Sequence, residues 1–99
     1  MRDDPPAASA VVLRGELDLA TLAEVEAMLA EALDRGAGDL VVDVSAVSFV
    51  DSQTIGALMA ARSRATESGR TLCLHGVGPR FARVLELYAP QPRFAVTAG

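Results

Sequence analysis

The chain has 99 residues, about half of them apolar, enough for a single core and little more. Its formal net charge is −4 at pH 7 and every basic residue is an arginine, so it lacks the basic face that nucleic-acid phosphates demand. One cysteine excludes an internal disulfide, and one cysteine with one histidine cannot build a tetrahedral metal site.

Residues 1–9, with Asp3, Asp4, Pro5 and Pro6, read as a disordered lead. They lack the apolar centre of a signal peptide, and no later stretch approaches the roughly 20 apolar residues that span a bilayer. The chain is therefore expected in the cytoplasm, with no membrane partner. From Ala10, Val11-Val12-Leu13 opens a buried strand that runs toward Leu17, and Gly15 within it marks a bulge or a close backbone approach. Thr21-Leu22-Ala23-Glu24 fits a capping box at a helix start. Leu22, Val25, Met28, Leu29, Ala32 and Leu33 then fall on one helical stripe, and Gly36 is expected to stop the helix in a left-handed turn.

Leu40-Val41-Val42-Asp43-Val44 reads as a central strand, apolar on both faces. Ser45 to Val50 forms a bridge into a second helix, from about Gln53 to Ser68, with Ile55, Leu58, Met59 and Ala65 inward and Gly69 ending it. Thr71 to His75 is a third strand, and Cys73 within it reads as a buried thiol acting as a small hydrophobe. Pro79 suits the first turn of a third helix with an apolar stripe of Phe81, Val84, Leu85 and Tyr88. Pro90 and Pro92 end that helix, and Phe94-Ala95-Val96 reads as a last short strand. Strands alternating with helices over short connections imply a small, mostly parallel α/β sheet of about four strands with about three helices.

Chemistry is sparse. Gly76-Val77-Gly78-Pro79 lies between a strand and a helix and reads first as a plain loop; its amides could also meet an anion, on which alone a third reading, a small-ligand or nucleotide sensor, rests. Ser52, His75 and Asp43 hold the residue types of a triad, but no nucleophile-elbow pattern surrounds Ser52. No catalytic residue, metal ligand or cofactor is assigned, and the chain is read as a binding protein and not an enzyme.

The segment from Val47 to Gly56 stands out, because Phe49 and Val50 deliver a polar pair, Asp51-Ser52, to a helix start. Capping by Asp51 or Ser52, worth about 1 kcal/mol, explains part of this. The segment resembles the signature of the STAS domain found in bacterial anti-sigma factor antagonists. Gly15-Glu16-Leu17-Asp18 resembles the family's turn after an early strand, and Arg80 to Tyr88 resembles its third helix. The three stretches occur in the family's order across residues 10–97.

This resemblance implies a STAS-like domain over 10–97 that binds an anti-sigma factor, itself a serine kinase, and so frees a sigma factor. It implies phosphorylation of Ser52, with Thr54 a second candidate hydroxyl, and a serine phosphatase that restores it. Asp18, Asp51, Ser52, Gln53, Thr54, Ile55 and Gly56 become the expected partner surface. The family usually follows Asp-Ser with Ser or Thr and then Gly, whereas Gln53 and Thr54 stand here and the next glycine is Gly56. The family also has an additional strand before this first one, which residues 1–9 supply poorly, leaving an open sheet edge. The alternative reading is a STAS scaffold subunit of a signalling or transport complex, without phosphorylation.

Overall fold

Short apolar runs separated by amphipathic stretches fold into alternating strands and helices. The computed structural model describes residues 9–36 and 38–97. In it β1 is Ser9–Leu17, α1 Leu22–Arg35, β2 Leu40–Val50, α2 Ser52–Glu67, β3 Leu72–His75, α3 Pro79–Tyr88 and β4 Ala95–Thr97. The strands lie in the order β1-β2-β3-β4 and each neighbouring pair is parallel, so the sheet is wholly parallel. The expected lead lies outside the described residues except for Ser9, which is the first residue of β1.

One core cluster joins all three helices to alternate residues of the strands, so the helices share one face of the sheet. Val11 and Leu13 of β1, Val42 and Val44 of β2 and Leu74 of β3 point into it, against Leu29 of α1, Ile55 and Leu58 of α2 and Phe81 of α3. Each fully buried Leu or Ile contributes about 1.5–3 kcal/mol. On the opposite face Val12 is 42% exposed, and Val41, Asp43, Cys73 and His75 are only half-buried. The central strand is thus buried on one face and not on two. Cys73 lies on the half-open face, where burial pushes its thiol pKa up and away from reactivity.

β2 is longer than the strand read from its apolar run, because Ser45–Val50 continues as strand instead of forming a bridge. Two register shifts make this possible. Where β1 advances from Val12 to Arg14, β2 advances from Asp43 to Ala46, and where β1 advances from Gly15 to Glu16, β2 advances from Val47 to Phe49. Each shift inserts one residue into β2 and would turn its alternation over; together they restore it. Leu17 and Val50 therefore return to the core face, 3% and 6% exposed. Gly15, at φ 73°, supplies the backbone conformation this irregularity needs.

The helix ends depart from the sequence reading in two places. Thr21 makes no capping bond to α1, so the capping box does not form; its hydroxyl turns back to the preceding loop. Gly36 is extended, at φ −92°, and not left-handed. Its lack of a side chain serves close approach, since a Cβ there would collide with the Ser9 side chain and the Arg70 guanidinium. Arg70 is 8% exposed and donates from Nε to the Gly38 carbonyl at 2.6 Å and from Nη1 to the Leu33 carbonyl at 2.8 Å. Its charge sits at the carboxyl end of α1, where the helix dipole favours a cation. Gly69 ends α2 at φ 73°, with its amide on the Thr66 carbonyl and the Arg70 amide on the Ala65 carbonyl.

Toward the carboxyl end, Phe81 is buried but Tyr88, expected on the same stripe, is 54% exposed. The last strand begins one residue later than expected, at Ala95, and Phe94 before it is buried. The Arg62 guanidinium lies 4.1 Å from the Phe94 ring centre and donates to the Pro92 carbonyl at 2.9 Å, tying this segment to α2.

Two glycines separate strain from freedom. Gly76 has φ 77°, and a Cβ there would lie 2.5 Å from the Ser45 Cβ. Gly76→Ala is expected to lose about 2 kcal/mol or more in chemical denaturation. Gly56 lies inside α2 with open space where a methyl would stand, so Gly56→Ala is expected to gain about 0.5–1 kcal/mol by the same measurement.

Candidate functional site

The end of β2 and the start of α2 meet at Asp51. Its amide donates to the Leu17 carbonyl at 3.1 Å, which closes the β1–β2 ribbon. Its backbone is extended, at φ −105° and ψ 175°, as an N-cap requires. Its Oδ1 accepts the Thr54 amide at 2.9 Å, and its carbonyl accepts the Ile55 amide at 3.2 Å. Of the two expected caps, Asp51 is the one used. Ser52 is then the first residue of α2, exposed beside Gln53, which is also exposed.

The remaining candidates divide by burial. Thr54 and Ile55 are each 0% exposed. Neither can touch a partner directly, and the Thr54 hydroxyl is closed off as a phosphate acceptor. Gly56 is half-buried. Asp18 follows Leu17, so the Leu17–Asp51 hydrogen bond places its loop against the start of α2. Asp18 Oδ1 accepts the Ala20 amide at 3.0 Å, and the Asp18 amide donates to Thr21 Oγ1 at 3.0 Å. Thr21 therefore braces the loop that carries Asp18, a role the capping-box pattern concealed. Leu19, at the loop tip, is 69% exposed.

The structure thus gathers Asp18, Asp51, Ser52 and Gln53 at the carboxyl ends of β1 and β2, the end of a parallel sheet where ligands and partners are usually met. α2 has no acidic residue in its first turn, and its open amides favour an anion.

The other residues weighed from sequence lie elsewhere. His75 Nδ1 is hydrogen-bonded to Thr97 Oγ1 at 2.8 Å, and Asp43 bonds Ser45, so neither is linked to Ser52 as a triad would need. Gly76 is left-handed against Ser45 and Gly78 is the N-cap of α3, which gives both glycines a backbone role. Among the described residues no group of three or more His, Cys, Asp or Glu is placed to hold a metal, and no helix is long and apolar enough to cross a membrane.

Two residues position the site in a role the sequence reading did not give them. Asp43 Oδ1 accepts the Ser45 amide at 2.9 Å and the Ser45 hydroxyl at 2.7 Å, stitching the first irregularity of β2. The available signal was an aspartate inside an apolar strand, where that residue is depleted, followed two positions on by a serine. The Ser45 hydroxyl and then its amide hold the Asp43 carboxyl below the usual carboxylate range, with His75 and Arg14 adding to the effect against partial desolvation.

A family model described as "Mlab, STAS domain" matches residues 1–89. The chain belongs to the STAS domain family. An anti-sigma-B factor antagonist from Staphylococcus aureus is 30% identical to this STAS chain over 89 residues, covering 90% of the chain and 82% of the relative. The protein of the same name from Staphylococcus epidermidis is 29% identical over 89 residues, covering 90% of the chain and 82% of the relative. Three solved structures share the fold. A candidate anti-sigma factor antagonist from Thermotoga maritima has a TM-score of 0.77 at 19% identity, covering 96% of this chain and 85% of that one. The anti-sigma factor antagonist SpoIIAA in its unphosphorylated form has a TM-score of 0.72 at 20% identity, covering 91% and 77%. A sulfate transporter family protein from Wolinella succinogenes has a TM-score of 0.57 at 17% identity, covering 92% and 80%.

Two tests probe how the STAS site is held. Asp51→Ala removes the side-chain cap of α2 and is expected to cost about 1 kcal/mol in denaturant unfolding, most of it recovered in Asp51→Asn. Asp43 has a depressed pKa in the folded state, so its contribution is present above the unfolded carboxylate value of about 4 and is lost as pH falls through the lower folded value. The stability gap between the native chain and Asp43→Asn is therefore expected to hold at neutral pH and to close in acid.

Proposed function

We propose that this chain is an anti-sigma factor antagonist that docks an anti-sigma factor serine kinase at the Asp18–Asp51–Ser52 end of the sheet. Phosphorylation of Ser52 switches it off, a phosphatase restores it, and the outcome is control of sigma-factor-dependent transcription in the cytoplasm. The observation that carries this reading is the exposure of Ser52 at the first position of α2, beside a rigid cap, while Thr54 is wholly buried. The name of the Staphylococcus aureus relative supports the partner class.

The site's physics is compatible with a switch that leaves the fold intact. A phosphate adds about −1.5 to −2 charge at pH 7. At the start of α2 the helix dipole and open amides tolerate that charge within the domain. A partner surface closed over the hydroxyl would have to accommodate three further oxygens and a desolvated dianion, which opposes docking. Partner contacts are assigned to Asp18, Asp51, Ser52, Gln53 and the half-buried Gly56, with Thr54 and Ile55 acting from beneath by anchoring the helix start.

A second reading is a STAS scaffold subunit without phosphorylation. It is favoured by Gln53 following Ser52 and is in keeping with the fold shared with a sulfate transporter family protein.

Incubation with the cognate kinase and ATP, followed by phosphosite mapping, is expected to place the phosphate on Ser52 and to leave Thr54 unmodified. Ser52→Asp is expected to weaken kinase binding, while equal binding by Ser52→Ala and Ser52→Asp would favour the scaffold. Thr54→Val removes a buried hydroxyl that has no hydrogen-bond partner among the described residues. It is expected to keep phosphorylation and to raise stability by about 1 kcal/mol in thermal or denaturant unfolding.

A further inference from the structure

A groove outside the Asp51-Ser52 turn lies between α3 and the part of β2 that extends past its pairing with β3. It encloses about 270 Å³ and is lined by Val47, Phe49, Val50, Phe81, Val84 and Leu87. Phe49 is 53% and Leu87 68% exposed, a concentration of large apolar surface that marks an interaction site better than scattered residues do. The volume falls below the roughly 300–1,000 Å³ of small-molecule sites and suits one or two anchoring side chains of a protein.

Arg80 and Arg83 of α3 also line this groove and are exposed. Among the described residues the ion pairs are Arg35 with Glu31 and Arg64 with Asp34, so neither of these two arginines is paired with a carboxylate of a described residue. On a chain of net charge −4, the groove's lining holds two cations and no acidic residue. We propose that this groove docks a short amphipathic acidic segment of a partner protein. Its apolar side chains enter between Phe49 and Leu87, and its carboxylates meet the Arg80 and Arg83 guanidinium groups, whose planar forks match carboxylate geometry. A basic or uncharged segment would leave the arginines unpaired. None of the groove's lining residues is the phosphate acceptor or its cap.

The test is a displayed library of random peptides about 15 residues long, near the shortest length at which an isolated helix holds, panned against the full chain. Enriched peptides are expected to carry large apolar residues at helical spacing flanked by Asp or Glu. They should perturb amide resonances of Val47–Val50 and Arg80–Leu87 in the isotope-labelled protein. The double variant Arg80→Glu, Arg83→Glu is expected to lose about tenfold or more in affinity for them. Arg35→Glu, the same change at a remote site, should leave affinity unaltered. The double variant should remain folded by circular dichroism, since both side chains are exposed and a glutamate at position 80, in the first turn of α3, faces the positive end of the helix; if it does not, the single variant Arg83→Gln is read the same way. Enrichment of basic or neutral peptides, resonance changes outside the groove, or equal losses in Arg35→Glu would overturn the proposal. So would a dimer of the native chain that Leu87→Asp dissociates, because the occupant would then be a second copy.

Discussion

The amide of Asp51 donates to the carbonyl of Leu17, and the carboxylate of the same residue accepts the amide of Thr54. One residue is therefore the last rung of the β1–β2 ribbon and the first brace of α2. Each of these bonds is worth only about 1 kcal/mol. Their joint effect is geometric: they fix the direction in which α2 leaves the sheet and hold the Asp18 loop beside it. Ser52 has a defined exposure because the residues flanking it are tied, Asp51 by hydrogen bonds and Ile55 by burial.

That arrangement requires β2 to reach further than its apolar run suggests. The strand passes β3 and continues against β1 alone, and it does so through two irregularities that cancel in their effect on side-chain direction. Asp43 and Ser45 hold the first, and Gly76 allows the end of β3 to pass close to it. The same extension creates the open flank on which α3 leans, and so the Phe49–Leu87 groove. Site and groove are consequences of one long strand.

Within the site, stability and recognition fall to different residues a few positions apart. Thr54 and Ile55 point into the core and hold the helix start; Ser52 and Gln53 point to solvent. A phosphate on an exposed hydroxyl above a buried anchor changes the surface without disturbing the packing beneath it. This division is what the proposed switch requires, and it explains why such a switch need not cost the fold its stability.

The order of elements and the parallel sheet were legible in the sequence, because apolar period and glycine or proline punctuation are local properties. So were the Asp51-Ser52 turn and the family resemblance, which rest on short ordered motifs. Local pattern failed where a side chain or backbone group had a choice of partner. Thr21 had a capping-box spacing but bonds the Asp18 loop, and Gly36 had the place of a left-handed stop but is extended to let Ser9 and Arg70 pass. Thr54 reads as a surface hydroxyl by residue type and is buried by its position on α2. The length of β2, the burial that singles out Ser52, and the groove beside α3 depend on contacts between segments far apart in the chain, and those only the folded structure decides.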